Sequence, residues 1–80
     1  MAVGTIRYWA AARAAAGTSE EQYAGGTLGD VLDDAAGRHG EELRRVLTVA
    51  SFLVDGVRCS RTTVLTDGMT VEVLPPFAGG

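Results

Sequence analysis

Lysine is absent from this chain of 80 residues, and cysteine and histidine occur once each. All seven basic residues are arginines, which are scattered along the sequence, and the net charge is −3. Because nucleic-acid phosphates are bound by clustered basic side chains, this pattern argues against a nucleic-acid partner. The one cysteine, Cys59, allows no disulfide within the chain, which favours a reducing compartment.

Long apolar runs are missing as well. No segment approaches the roughly 20 apolar residues that cross a bilayer, and the first residues lack the basic stretch and apolar run of a signal peptide. We therefore expect a cytoplasmic protein with no membrane partner. One histidine and one cysteine could complete a four-ligand zinc site only with added carboxylates, so we expect no bound metal.

The residues that are present suffice for one small apolar core. Hydrophobic residues make up 46% of the chain, and a chain of this length buries roughly 60% of its unfolded surface as a single domain. We expect this domain to span residues 1–74 and to be followed by an extended tail over residues 75–80.

The first half of the sequence predicts a strand, a short helix, a second strand and then the main helix. Residues 3–9 alternate as a strand, residues 10–16 are alanine-rich and stop at a glycine, and residues 20–23 can pair back as a hairpin. Thr27 is a predicted N-cap with Asp30 three residues later. The main helix then carries one apolar stripe, formed by Leu28, Val31, Leu32 and Ala35. It is expected to end at Gly37 and Gly40.

The second half predicts a short helix and three strands. Residues 41–47 form the short helix, residues 49–54 form a strand, and Asp55-Gly56 is a strong hairpin turn. The return strand begins at residue 57, and residues 69–74 form the last strand after a second Asp-Gly turn. We expect four of the connecting residues to face the core: Val57, Cys59, Val64 and Leu65.

This order of elements predicts an α+β fold. A first and a last strand joined through one long helix favour a right-handed crossover, which places the two strands side by side and parallel. The result is the β-grasp arrangement of ubiquitin, a mixed sheet of four or five strands packed on one main helix. Trp9 and Leu74 would then lie on the sheet face away from the helix, where exposed apolar residues are typical of a docking site. The alternative is that Trp9 tucks under the turn formed by residues 10–16.

The tail is the segment in which we expect the function to reside. Pro75 and Pro76 stiffen the chain directly after the last strand, Phe77 adds one large apolar group, and Ala78, Gly79 and Gly80 are slender enough to enter a narrow channel. Such a tail delivers one chemical group, the α-carboxylate of Gly80.

Three other features have plainer interpretations. His39 is expected to interact with the last carbonyls of the main helix. Cys59 is interpreted as a core residue rather than as a carrier of persulfide sulfur. The acidic pairs, including Glu20-Glu21, are interpreted as solvated surface.

Several of these segments resemble the MoaD/ThiS family of sulfur carriers, and most of all its branch of molybdopterin synthase small subunits. The resemblance spans the whole chain and rests on residues 7–13 (RYWAAAR) with Gly17, on Thr66-Asp67-Gly68, and on residues 74–80 (LPPFAGG). It implies that an E1-like adenylyltransferase uses ATP and Mg²⁺ to adenylate Gly80, and that a sulfur donor protein then converts it to a thiocarboxylate.

The same resemblance implies that the chain has no catalytic residues or bound cofactor of its own. Its tail would enter the large subunit of molybdopterin synthase and give sulfur to a pterin precursor, with Trp9, Leu74 and Phe77 at the interface. The same carboxyl chemistry could instead serve thiamine or cysteine biosynthesis. A further alternative is a ubiquitin-like modifier that forms an isopeptide bond with a target lysine, although the chain has no lysine on which to build chains of itself.

Overall fold

The computed structural model describes residues 1–76 of the chain. These residues form five strands and three helices, and in chain order they are β1 (Ala2–Tyr8), α1 (Ala10–Ala16), β2 (Glu20–Gly25), α2 (Leu28–His39), α3 (Glu41–Leu47), β3 (Ser51–Val54), β4 (Val57–Arg58) and β5 (Thr70–Leu74). Apart from a few terminal residues, these bounds confirm the predicted elements.

The strands form one mixed sheet in the order β2-β1-β5-β3-β4. β1 and β5 are parallel and lie at the centre of the sheet, with Thr5 opposite Thr70 and Tyr8 opposite Val73. The other three pairings are antiparallel. The parallel central pair and the mixed five-stranded sheet confirm the predicted β-grasp fold.

One face of the sheet is covered by the helices. Alternate residues of β1 and β5 point to this side, and Ile6, Tyr8, Val71 and Val73 are almost completely buried. The apolar stripe of α2 supplies the opposite layer through Leu28, Val31, Leu32, Ala35 and Ala36. The residues that alternate with these buried positions in β1 and β5 face the other side of the sheet. We call this side the open face, because no helix packs on it within residues 1–76.

Helix α2 starts as predicted and ends at one of the two glycines that were predicted to end it. The Thr27 side chain accepts a bond from the Asp30 amide while the Asp30 side chain accepts one from the Thr27 amide, which completes a capping box. Gly37, the first of the two glycines that were predicted to end the helix, does not end it, and Gly40, the second, does. Gly37 keeps helical geometry, whereas Gly40, with φ of 105°, ends the helix and bonds to the Ala36 carbonyl.

Two strand starts and two core residues were also predicted wrongly. β3 starts at Ser51 rather than Val49, because the Val49 amide still bonds back to the carbonyl of Val46 at the end of α3. β5 starts at Thr70 because Met69 closes a turn with Thr66. Val57 is 64% exposed and Val64 is 69% exposed, since the first lies in the two-residue edge strand and the second in a loop whose next residue fills the core.

The other two of the four expected core residues do contact the core. Leu65 is buried, with only 4% of its surface exposed. Cys59 is half-buried and packs against the core, so the interpretation as a packing residue holds in part.

Candidate functional site

The tail begins directly after β5, the central strand of the sheet. β5 ends at Leu74, the next residue, Pro75, is buried, and Pro76 is exposed. Because β1 and β5 are parallel, both strands end at the same edge, and the Trp9 amide donates to the Val73 carbonyl there at 3.2 Å. The remaining predicted tail residues, Phe77, Ala78, Gly79 and Gly80, lie outside the described residues.

The Trp9 side chain is held on the open face beside this exit. Its Nε1 donates to Oε2 of Glu72 at 3.0 Å, and the Arg7 guanidinium lies 5.1 Å from the ring centroid, which is a cation–π distance. The ring is 37% exposed. Trp9 therefore lies over the last strand with one side available to solvent, and Leu74, which is half-buried, lies on the same face.

A row of side chains crosses the open face at the level of Glu72. The strand registers place Arg7 opposite Glu20 and Glu72, Leu53 opposite Glu72, and Arg58 opposite Leu53. We call these five residues, Glu20, Arg7, Glu72, Leu53 and Arg58, the charged row. Arg7 lies 3.8 Å from Glu20, so within residues 1–76 the row has internal ion pairing at the β2 side and an unpaired basic end at β4.

A second polar cluster lies at the helix side of the sheet, and the sequence interpretation missed it. Glu21 accepts hydrogen bonds from the Tyr8 hydroxyl at 2.5 Å and from Arg38 at 2.9 Å, and its Oε2 lies 2.7 Å from Nε2 of His39. The Tyr8 and His39 rings also meet edge to face. We call these four residues the Glu21 cluster.

The Glu21 cluster corrects two interpretations. Glu21 was expected on solvated surface, but its side chain is only 19% exposed, because it points inward from the edge strand with Tyr23. His39 was expected to interact with helix carbonyls, but its ring contacts the Glu21 carboxylate instead. The two-residue alternation of β2, which puts Glu21 and the buried Tyr23 on one face, is the signal that could have found this contact.

The electrostatics of the cluster favour a charged Glu21 and a neutral Tyr8. Burial raises the pKa of Glu21, but the hydrogen bonds from Arg38, Tyr8 and His39 outweigh it and lower the pKa to about 2. Burial, together with the hydrogen bond to Glu21 and its charge, raises the pKa of the Tyr8 hydroxyl. The hydrogen bonds to Glu21 and Asp34 raise the pKa of Arg38. The cluster thus joins β1, β2 and α2 through one half-buried anion.

The described residues offer surfaces rather than a substrate pocket. Residues 1–76 form no cleft that could enclose a small molecule, and within them no three His, Cys, Asp or Glu side chains are grouped as metal ligands. No helix of this part of the chain is long and apolar enough to cross a membrane.

The family model for ThiS matches residues 6–80, which is nearly the whole chain. The chain belongs to the ThiS family. This membership confirms the resemblance to MoaD/ThiS sulfur carriers, whose members are small β-grasp proteins that act as sulfur carriers or modifiers. No functionally curated protein sequence matches this ThiS family member at a significant level.

Solved structures similar to this ThiS family member come from more than one branch. One is described as a putative molybdopterin converting factor, subunit 1, from Pyrococcus furiosus; it is 25% identical with a TM-score of 0.84, and the match covers 95% of this chain and 99% of that one. Another is small archaeal modifier protein 1 from Methanosarcina acetivorans, at 26% identity and a TM-score of 0.88 over 100% and 98% of the two chains.

A third similar structure contains a partner chain. It is the complex of subunits 1 and 2 of molybdopterin-converting factor from Helicobacter pylori, which is 20% identical with a TM-score of 0.71 over 98% of this chain and 99% of that one. At this identity the likeness concerns the fold. It shows that a chain with this fold can assemble with a second subunit.

Proposed function

We propose that this chain is a sulfur carrier that acts as the small subunit of molybdopterin synthase and carries sulfur as a thiocarboxylate on Gly80. The observation that carries the proposal is the ThiS family match, which continues through the tail to residue 80. The likeness to a molybdopterin converting factor subunit at 25% identity supports the choice of pathway.

The structure supports this chemistry through the root of the tail. β5 is fixed between β1 and β3, and the buried Pro75 directly follows its last residue. A tail that starts from such a fixed point can bring Gly80 into a partner's active site while the domain stays docked outside. Pro75-Pro76 restricts the conformations of the free tail, so the tail loses less conformational entropy when it enters the partner.

The carboxylate needs activation because it is an anion that resists nucleophiles. The ordinary pKa of an α-carboxyl is about 3.5, so Gly80 is charged at neutral pH. In the proposed sequence one carboxylate oxygen attacks the α-phosphorus of ATP, pyrophosphate leaves, and an acyl-adenylate forms on an E1-like adenylyltransferase with Mg²⁺. A hydrosulfide equivalent from a sulfur donor protein then attacks the carbonyl carbon and displaces AMP.

The partners supply all catalytic groups in this scheme, and the chain supplies the tail and a docking surface. We propose Trp9, Leu74 and Phe77 as the apolar part of that surface. Loaded with sulfur, the tail enters the large subunit of molybdopterin synthase, where the thiocarboxylate sulfur passes to a pterin precursor in the cytoplasm.

Intact-mass spectrometry tests the central step. The chain is incubated with a cognate adenylyltransferase, ATP, Mg²⁺ and a sulfur donor, and we expect a mass gain equal to the exchange of one oxygen for one sulfur. Gly80→Leu should show no gain, whereas the control Gly37→Ala, which leaves the tail intact, should gain mass like the wild type. Fragmentation of the loaded wild-type chain should locate the sulfur on the carboxyl of residue 80, and sulfur found at any other position would reject the proposal.

A second candidate function is a ubiquitin-like modifier. The likeness to small archaeal modifier protein 1 favours it, at 26% identity over the full length of the chain. In that case the activated carboxyl of Gly80 would be attacked by a lysine amine of another protein. Covalent conjugates that contain this chain, found in cell extracts by tryptic mass spectrometry, would support it over the carrier role.

A further inference from the structure

Three of the four charges in the charged row already have partners within the open face. Arg7 lies between the Glu20 carboxylate at 3.8 Å and the Trp9 ring. Glu72 accepts the Trp9 indole hydrogen bond. Each of these charged groups therefore either holds the Trp9 ring in place or pairs with a neighbour in the row.

Arg58 is the exception. It is exposed on the edge strand β4, and within residues 1–76 it forms no ion pair, although the other charged members of the row all have contacts. Leu53 stands between Arg58 and Glu72 in the register, so the nearest acid of the row is not its neighbour. In the part of the chain that the structure describes, the open face thus ends at β4 in a guanidinium group with unused donors.

Apolar side chains lie along the same face. Trp9 is part-exposed and held by its contacts with Arg7 and Glu72, Leu53 is half-buried within the row, and Leu74 is half-buried beside it. Tryptophan and arginine are the side chains that most often dominate protein interfaces, and arginine pairs with carboxylates through two parallel hydrogen bonds. The planar guanidinium of a single arginine matches the two oxygens of one carboxylate.

We propose that Arg58 sets partner specificity by pairing with an aspartate or glutamate of the partner protein that docks on the open face. This inference rests on the proposed function and adds to it the charge that the partner must present at the β4 edge. The partner's apolar side chains pack on Trp9 and Leu74, and its carboxylate meets Arg58 at the rim of the contact.

The test measures association kinetics between the full chain and the recombinant large subunit of molybdopterin synthase from the same organism. Arg58→Glu is compared with the control Arg44→Glu, which makes the same charge change on α3, on the helix side of the molecule, where Arg44 pairs with Glu41. Because a rim charge acts mainly on the association rate, we expect Arg58→Glu to slow association about tenfold at low salt and Arg44→Glu less than about twofold. The difference should largely disappear at about 0.5 M salt.

Each outcome bears on one of the two proposals. Equal effects of the two variants would overturn the role of Arg58 while leaving the carrier function intact. Absence of binding by the wild-type chain would overturn the proposed function itself. Circular dichroism checks the fold of both variants, and Arg58→Ala provides a second probe that introduces no new negative charge.

A charge-reversal screen completes the test. Aspartates and glutamates of the large subunit are changed singly to arginine, and each variant is paired with Arg58→Glu. One of them should restore the association rate to within about threefold of wild type, because opposite charges are again paired. If no reversal restores the rate, the proposed carboxylate contact is wrong.

Discussion

Changing Glu21 to glutamine should destabilise the fold more than most single substitutions of a polar side chain. The substitution keeps the shape of the side chain and removes its charge. Glu21 accepts hydrogen bonds from Tyr8, Arg38 and His39 in a site where its side chain is 19% exposed. A glutamine has one acceptor oxygen, and its amide group would direct donors toward groups that are themselves donors.

The expected loss is about 2–3 kcal/mol in the free energy of unfolding at neutral pH, since a hydrogen bond to a charged group contributes about 1.5–3 kcal/mol. The pKa lowering from 4.5 to about 2 gives a similar upper bound of about 3 kcal/mol. For a domain of this size each kcal/mol corresponds to a Tm shift of about 4–8 °C. Urea unfolding followed by circular dichroism measures the loss directly.

The pH dependence provides a sharper check. The folded-state pKa of Glu21 lies below its ordinary value of 4.5, so the folded protein holds fewer protons than the unfolded chain in this range. The stabilisation by Glu21 is therefore fully present above pH 4.5 and is lost as the pH falls towards about 2. Glu21→Gln lacks this part of the pH dependence. The difference in free energy of unfolding between wild type and Glu21→Gln should therefore become smaller as the pH falls from 4.5 towards about 2.

Two results would refute this reasoning. One is a loss below about 0.5 kcal/mol at neutral pH, a value typical of surface substitutions. The other is a gap that stays constant between neutral pH and about pH 2, which would mean that the charge of Glu21 is not what stabilises the fold. Glu20→Gln is the matched control, because Glu20 is the exposed neighbour in the same strand.

The remaining predictions concern Trp9 and two glycines. Trp9→Ala should weaken binding to the large subunit by at least about tenfold, and the loss of binding free energy should exceed the loss of folding free energy; a stability loss without a binding loss would make the ring a core residue. Gly37→Ala should stabilise the fold by about 0.5–1 kcal/mol, because its site is helical with nothing within 4 Å of an added Cβ. Gly4→Ala should instead fail to fold stably, since its Cβ would clash with the Met69 carbonyl and the Tyr23 hydroxyl. Chemical unfolding measures both glycine variants, and a destabilised Gly37→Ala would contradict the helix end at Gly40.

The fold could be predicted from local signals in the sequence. The capping box at Thr27 and the Asp55-Gly56 turn are set by residues close together in the chain, and both appear in the structure. The parallel pairing of β1 with β5 followed from the handedness of the connection between them. The predicted helix end at Gly37 was wrong because this glycine keeps helical geometry, and the starts of β3 and β5 were misplaced because turns at Val49 and Met69 delay the two strands.

The candidate site was predictable only in part. The placement of Trp9 and Leu74 on the open face follows from strand alternation, which the structure bears out. The Glu21 cluster does not follow from local signals, because it needs the end of α2 to pack against the edge strand β2. Likewise, the free end of the charged row depends on cross-strand register, which brings Arg58 level with Glu72 across Leu53. The role of Gly80 stays a prediction.

The central position of β5 makes folding of this domain a nonlocal process. The contacts that fix β5 against β1 join residues as far apart as Trp9 and Glu72, which are 63 positions apart. Without β5 the sheet would separate into a β1–β2 hairpin and a β3–β4 hairpin, and isolated hairpins are barely stable in water. High contact order of this kind slows the search for the native state, so nascent chains depend on completing the segment next to the tail before any part of the sheet becomes stable.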